Sequence, residues 1–191
     1  SPHLVGVLDV DQDGGLFFII MEFVTGGSVR GYVEKLKKQG RTGMDELVAL
    51  DICIAAAKGL AEAHAHGVVH RDIKPDNILL PAGQNDTPLF SEAKLADLGL
   101  ARGEGQDSGL TMAHASMGTP GYLAPEQATD AHSASAPADV YGLGATLYAM
   151  LAGHAPFTGT SAMKIMMDTV QKSHAPIRTL RPDISPDTST V

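Results

Sequence analysis

Between two short apolar runs, Val68-Val69 and Ile78-Leu79-Leu80, the chain carries His70-Arg71-Asp72-Ile73-Lys74-Pro75-Asp76-Asn77. Buried segments on either side pin a polar loop at both ends, which is how a rigid scaffold presents reactive groups. An acid, a base and an amide follow one another closely. Asp72 is placed to take a proton from a hydroxyl, Lys74 to neutralise a phosphate, and Asn77 to offer an amide oxygen to a metal ion. The plain alternative is a charged surface turn.

Bulk properties narrow the field. A chain of 191 residues suffices for one domain with a core, or for part of a larger one. Hydrophobic residues at 43% against 19% charged read as globular rather than disordered. A formal net charge of −8 argues against a nucleic-acid partner held on a basic surface. Cys53 is the only cysteine, so no intrachain disulfide forms, and a reducing compartment fits. No run of about eighteen apolar residues exists, so no transmembrane helix and no membrane contact is expected within this span. There is no visible signal peptide, and the start at Ser1 suggests a piece of a longer protein.

Along the chain, Leu4 to Leu8 and Leu16 to Met21 are β-prone. The cluster Asp11-Gln12-Asp13-Gly14-Gly15 between them predicts a turn and an antiparallel hairpin, not a calcium loop, which needs spaced ligands and a distal glutamate. Ser28 caps a helix to about Gln39, ended by Gly40, with Val29, Val33 and Leu36 on one face. The lysines of that helix read as a solvated face. The segment from Asp45 to about His66 is apolar nearly all round, the pattern of a buried helix, with Cys53 as core filler. His64 and His66 read as helix-end residues rather than metal ligands. Two short strands follow, Ile78 to Leu80 and Lys94 to Ala96, joined by a surface loop from Pro81 to Ser91. Asp97 to Glu126 has little periodicity and is too long for an ordinary connection, which favours a functional segment. Asp139 opens a helix to about Leu151, with Val140, Leu143, Leu147 and Leu151 along one side. Ser161 to Lys172 forms another helix, and Pro176 to Val191 has no core pattern. There are no internal repeats.

Three motifs in order, His70-Arg71-Asp72 with Asn77, Asp97-Leu98-Gly99, and Ala124-Pro125-Glu126, resemble the signature of protein kinases. Lys74 two places after Asp72 is similar to the serine/threonine-specific branch. The wording Gly118-Thr119-Pro120-Gly121-Tyr122-Leu123-Ala124-Pro125-Glu126-Gln127 looks like bacterial members. The resemblance implies an α+β, protein-kinase-like fold: residues 1–21 as the last strands of the small lobe, 22–27 as the hinge, and 28–191 as the mostly helical large lobe. It implies ATP and Mg2+ as cofactors and serine/threonine hydroxyls of protein substrates as acceptors. Asp72 would be the catalytic base, Lys74 would stabilise the phosphate in flight, and Thr119 would bridge toward both. Asp97 and Asn77 would hold metal. Met21 as gatekeeper, the Glu22 carbonyl and the Val24 N–H would read the adenine, with Leu79 also among the nucleotide-binding residues. Arg71 marks the subclass switched by phosphorylation, with Arg102 as a second partner and Thr111 as the preferred acceptor ahead of Ser108 and Ser116. Solvated loop hydroxyls are the alternative. His70, Glu126 and Asp139 take structural roles: Glu126 pairs with a later arginine, and Asp139 buries its carboxylate against the catalytic loop's backbone. A cytoplasmic or cytoplasm-facing location and dimerisation for autophosphorylation are compatible with the family.

The sequence also departs from the family. No Gly-x-Gly-x-x-Gly loop, ATP-anchoring lysine or partner glutamate stands upstream, and Leu98 replaces the usual phenylalanine. The expectation is a domain cut at both ends whose 191 residues alone bind ATP poorly. A pseudokinase scaffold is the main alternative, against which the joint presence of Asp72, Asn77 and Asp97 speaks. A small-molecule phosphotransferase is the other, against which the stretch from Gly118 to Glu126 speaks.

Overall fold

The computed structural model describes residues 1–98, 119–130 and 134–190. Arg102, Ser108, Thr111 and Ser116 lie outside them, as do Gly99 and Gly118. Strands β1 (Val7–Asp13) and β2 (Leu16–Met21) form an antiparallel hairpin closed by the pair Asp13↔Leu16. The turn is smaller than the composition suggests: it comprises Gly14 and Gly15 alone, both at positive φ, the geometry a two-residue hairpin loop demands. The first strand also starts later than expected. Leu4 forms a parallel bridge to Leu95 instead, with Val5 N–H donating to the Leu95 carbonyl at 2.8 Å. The hairpin leaves Leu8, Val10, Leu16 and Phe17 exposed, so it contributes little to the core.

Helix α1 (Val29–Lys38) is capped by Ser28, whose hydroxyl accepts from the Gly31 N–H, and it buries Val33 and Leu36. Helix α2 (Glu46–Ala65) is the long central helix, but it is not buried all round. Its inner face is built of Ala49, Ile52, Ala55, Ala56, Gly59, Leu60 and Ala63, whereas Leu47 and Ile54 face outward, Leu47 at 77% exposure. Small residues on the inner face let other segments approach closely. A Cβ on Gly59 would meet the His3 carbonyl oxygen at 2.6 Å. Strands β3 (Ile78–Leu79) and β4 (Lys94–Leu95) pair antiparallel below this helix. The loop between them is not wholly superficial: Phe90 packs edge-on to Tyr32 at 5.3 Å.

Helix α3 (Pro125–Thr129) is short, and α4 (Ala136–Ala152) is the second long helix. Helix α4 begins three residues before Asp139, because Ser135 takes the cap position and Pro137 fits the first turn. Val140, near the start of the helix, lies outward, while Leu147 and Leu151 are buried. Helices α5 (Ala162–Gln171) and α6 (Ile177–Leu180) complete the order. The end of the chain does reach the core: Ile177 and Ile184 are buried, and Arg181 donates to the carbonyls of Met44 at 3.2 Å and Leu151 at 3.0 Å. Val29, Met44, Ile52, Ile78, Leu95, Met150 and Ile184 share one apolar cluster, so the strands, the two long helices and the chain end are held by one core.

Met44 N–H donates to the Met150 carbonyl at 2.8 Å, which seats residues 43–44 against the end of α4. Gly43 has no room for a side chain there, since a Cβ would collide with the Leu151 carbonyl. Gly43→Ala should therefore lower the urea midpoint of unfolding by an amount equivalent to about 2 kcal/mol, the scale of overpacking. Burial pushes the Cys53 thiol up to about 12. Cys53 should accordingly react only slowly with a disulfide reagent at pH 8 and fully once the chain is unfolded, because the thiolate is the nucleophile.

Candidate active site

Lys74 precedes a single 3-10 turn, Pro75–Asn77, that proline starts with its fixed φ. The turn folds Asn77 back onto Asp72: its amide nitrogen donates to the Asp72 carbonyl at 2.8 Å and to the Asp72 carboxylate at 3.1 Å. That use of the nitrogen leaves the amide oxygen as the group to offer a cation. Lys74 Nζ donates to Asp72 Oδ2 at 2.6 Å and to Thr119 Oγ1 at 2.7 Å. Thr119 N–H completes the set by donating to Asp72 Oδ1 at 3.2 Å. Four sequence-predicted residues thus meet at one carboxylate. The Asp72 and Lys74 side chains are 33% and 19% exposed, open enough for a substrate and dry enough to strengthen the pairing.

The loop is oriented from behind. Asp139, 1% exposed, accepts from the His70 N–H at 2.8 Å, the Arg71 N–H at 2.7 Å and His64 Nε2 at 2.8 Å. Arg71 has φ +72, a left-handed conformation that costs a non-glycine residue about 1–2 kcal/mol. The bonds to Asp139 offset that cost. His70, itself buried, donates from Nε2 to the Ala96 carbonyl at 2.9 Å, and the Ala96 N–H donates to Asn77 O at 2.9 Å. These bonds bring Asp97, the next residue, alongside the loop. Asp97 is exposed and has φ +59.

Met21 and Glu22 stand at the end of β2. From there the chain runs to α1 through Gly26, whose N–H donates to Leu80 O at 2.9 Å, and Leu80 N–H donates to Gly27 O at 2.8 Å. A Cβ on Gly26 would strike the Leu80 carbonyl. Val24 and Leu79 are both half-buried along this path. Glu22 accepts from Lys94 Nζ at 2.8 Å and from the Gly6 N–H at 2.7 Å. The Lys94 hydrogen bond, with that of Gly6, holds the Glu22 carboxyl below the ordinary glutamate range. A lowered folded value means that this tie persists at neutral pH and is lost as pH falls through it.

Glu126 lies in the first turn of α3. His64, Lys94 and Gln127 were missed as site residues. No local pattern marks them, because their partners Asp139, Glu22 and Arg71 lie 75, 72 and 56 residues away. His66 does read correctly as a helix-end residue, with Nδ1 on the Glu62 carbonyl at 2.9 Å. Among the described residues, no three His, Cys, Asp or Glu side chains cluster to hold a metal by themselves. Asp97 and the Asn77 oxygen still suit Mg2+, which is usually held by one or two carboxylates together with substrate phosphates. Also among the described residues, no helix is long and apolar enough to cross a membrane.

Residues 1–190 match the family described as protein kinase domain. The chain is 41% identical over 162 residues to serine/threonine-protein kinase PknL of Mycobacterium tuberculosis, covering 85% of this chain and 37% of that protein. It is 35% identical over 188 residues to PknA of the same organism, covering 98% and 39%. Against the probable serine/threonine-protein kinase PknB of Lactococcus lactis the identity is 32% over 183 residues, covering 96% and 27%. The chain belongs to the protein kinase family, and its relatives are bacterial serine/threonine-protein kinases. It spans about a third of the length of the curated relatives it matches.

Asp139 is the test of how the loop is held. Asp139→Ala strands two backbone donors and a histidine, at about 1–3 kcal/mol for each buried group left unpaired. Urea unfolding should show a loss of about 3 kcal/mol or more, with Asp139→Asn intermediate because its amide keeps one acceptor oxygen.

Proposed function

We propose that the protein of which these residues form the kinase region transfers the γ-phosphoryl group of ATP to serine or threonine hydroxyls of protein substrates. The observation that carries this reading is the convergence of Lys74, Asn77 and Thr119 on Asp72. Phosphoryl transfer asks a protein mainly for positioning and charge neutralisation. Asp72 orients the acceptor hydroxyl and takes its proton as the oxygen bonds to the γ-phosphorus. The bond from that phosphorus to the bridging oxygen breaks, and ADP leaves with the electron pair. Proton acceptance of this kind contributes about 10²–10⁴-fold. Lys74 sits beside the carboxylate and neutralises the transferred group, while Thr119 fixes both. Asp97 and Asn77 would hold Mg2+, which when bound supplies neutralisation of the phosphate charge.

Residues 22–27 serve as the hinge between the small-lobe strands at 1–21 and the large lobe at 28–191. There Met21, the Glu22 carbonyl, the Val24 N–H and Leu79 receive the adenine. The engagement of the Glu22 carboxylate with Lys94 supports this, since it steadies the backbone that reads the base. Arg71, exposed beside the loop, together with Arg102 forms the receptor for a phosphate on Thr111. His70 and Asp139 hold the loop, and Glu126 anchors the segment that ends at α3. The region faces the cytoplasm, and autophosphorylation proceeds between two copies. The 191 residues carry no glycine-rich phosphate loop and no lysine in its usual strand setting, so by themselves they transfer little.

The deciding assay is ATP-γ-phosphate transfer to a serine/threonine peptide by the whole gene product, its Asp72→Asn variant and residues 1–191. The expected result is transfer by the first, a loss of at least about 100-fold in the second, and little in the third. An inactive whole product would give the scaffold reading its place.

A further inference from the structure

Arg71 is gripped on both sides of its strained backbone. Its N–H donates to Asp139 on α4 at 2.7 Å, and its carbonyl accepts from Gln127 Nε2 on α3 at 3.0 Å. Gln127 is 7% exposed, and its other amide atom is also committed: Oε1 accepts from the Ala124 N–H at 3.1 Å. One buried amide therefore joins the start of α3 to the residue immediately before Asp72. The same stretch of chain touches the loop again eight residues earlier, where Thr119 bonds Asp72 and Lys74. Arg71, Asp72, Thr119, Tyr122, Leu123 and Gln127 line a small cleft between the two segments.

We propose that Gln127 is a positioning residue for the transfer reaction: by holding the Arg71 carbonyl it fixes the left-handed turn that aims Asp72, and so couples residues 119–127 to the base. The inference rests on the kinase reading above. A left-handed arginine has nearby alternatives of lower intrinsic energy, toward which rotation of the Asp72–Arg71 peptide would swing the carboxylate. Asp139 restrains only the N–H side of Arg71. Gln127 restrains the carbonyl side, and through Ala124 it makes that restraint depend on how residues 119–124 are seated. A displaced segment would then misaim the base without any change at the nucleotide-binding end.

Two substitutions separate this role from a helix cap. Gln127→Met keeps the length and removes both bonds. Gln127→Glu keeps the acceptor for the Ala124 N–H, as acidic side chains do at this helix position, but loses the donor to Arg71. At pH 9, at the top of the range to which burial raises a glutamate (about 8–9), both variants of the whole gene product should lose about tenfold or more in kcat toward a serine/threonine peptide, since small misplacements are costly. KM for ATP should stay within about twofold, the pattern of an interaction that acts on the chemical step. Hydrogen exchange in peptides covering residues 69–73 should quicken in both, reporting local opening. Wild-type kcat in Gln127→Glu, or faster exchange confined to residues 123–129, would overturn the proposal. An unsubstituted protein that transfers no phosphate would sink the kinase reading instead, and exchange at residues 69–73 would still decide whether Gln127 holds the loop.

Discussion

The buried Asp139 carboxylate is the constraint on which the rest of the site depends. Burying a carboxylate carries a desolvation penalty of several kcal/mol unless hydrogen bonds replace the lost water. Here three donors do so, and two of them are consecutive backbone N–H groups, those of His70 and Arg71. The next torsion, φ +72 at Arg71, turns the chain from that grip toward Asp72. Helix α4 thereby dictates the shape of a loop almost seventy residues earlier in the chain.

From that anchor the chemistry follows outward in layers. His70 turns its ring to Ala96 and brings Asp97 close, and the turn begun by Pro75 returns Asn77 to Asp72. Lys74 then has one carboxylate and one hydroxyl within reach, so its charge is directed rather than free. The arrangement is preorganised: the carboxylate, the ammonium and the amide are already held by the scaffold, as the proposed phosphoryl transfer would require. The apolar cluster shared by α1, α2, α4 and the short strands gives this polar centre a rigid floor.

Much of the architecture was legible beforehand, for identifiable reasons. Helix α1 shows its cap and its apolar face in a stretch of ten residues, and α5 shows its serine cap. Errors arose where neighbours outside the local window decide the outcome. Helix α2 reads as apolar all round because alanine gives no direction, and only its packing partners determine that Leu47 and Ile54 face outward. The final residues lack periodicity, yet Ile177 and Ile184 fill gaps beside the long helices.

The sequence by itself determined the chemical inventory. The order and spacing of His70, Asp72, Lys74, Asn77 and Asp97 are covalent facts, and the chemistry open to a carboxylate, an ammonium and an amide does not depend on the fold. Tertiary structure alone decided which distant side chains enforce that inventory. His64 on Asp139, Lys94 on Glu22 and Gln127 on Arg71 are contacts between segments more than fifty residues apart. Their hydrogen bonds form only after the core has brought the segments together, because a polar side chain carries no mark of its eventual partner until water has been excluded around it.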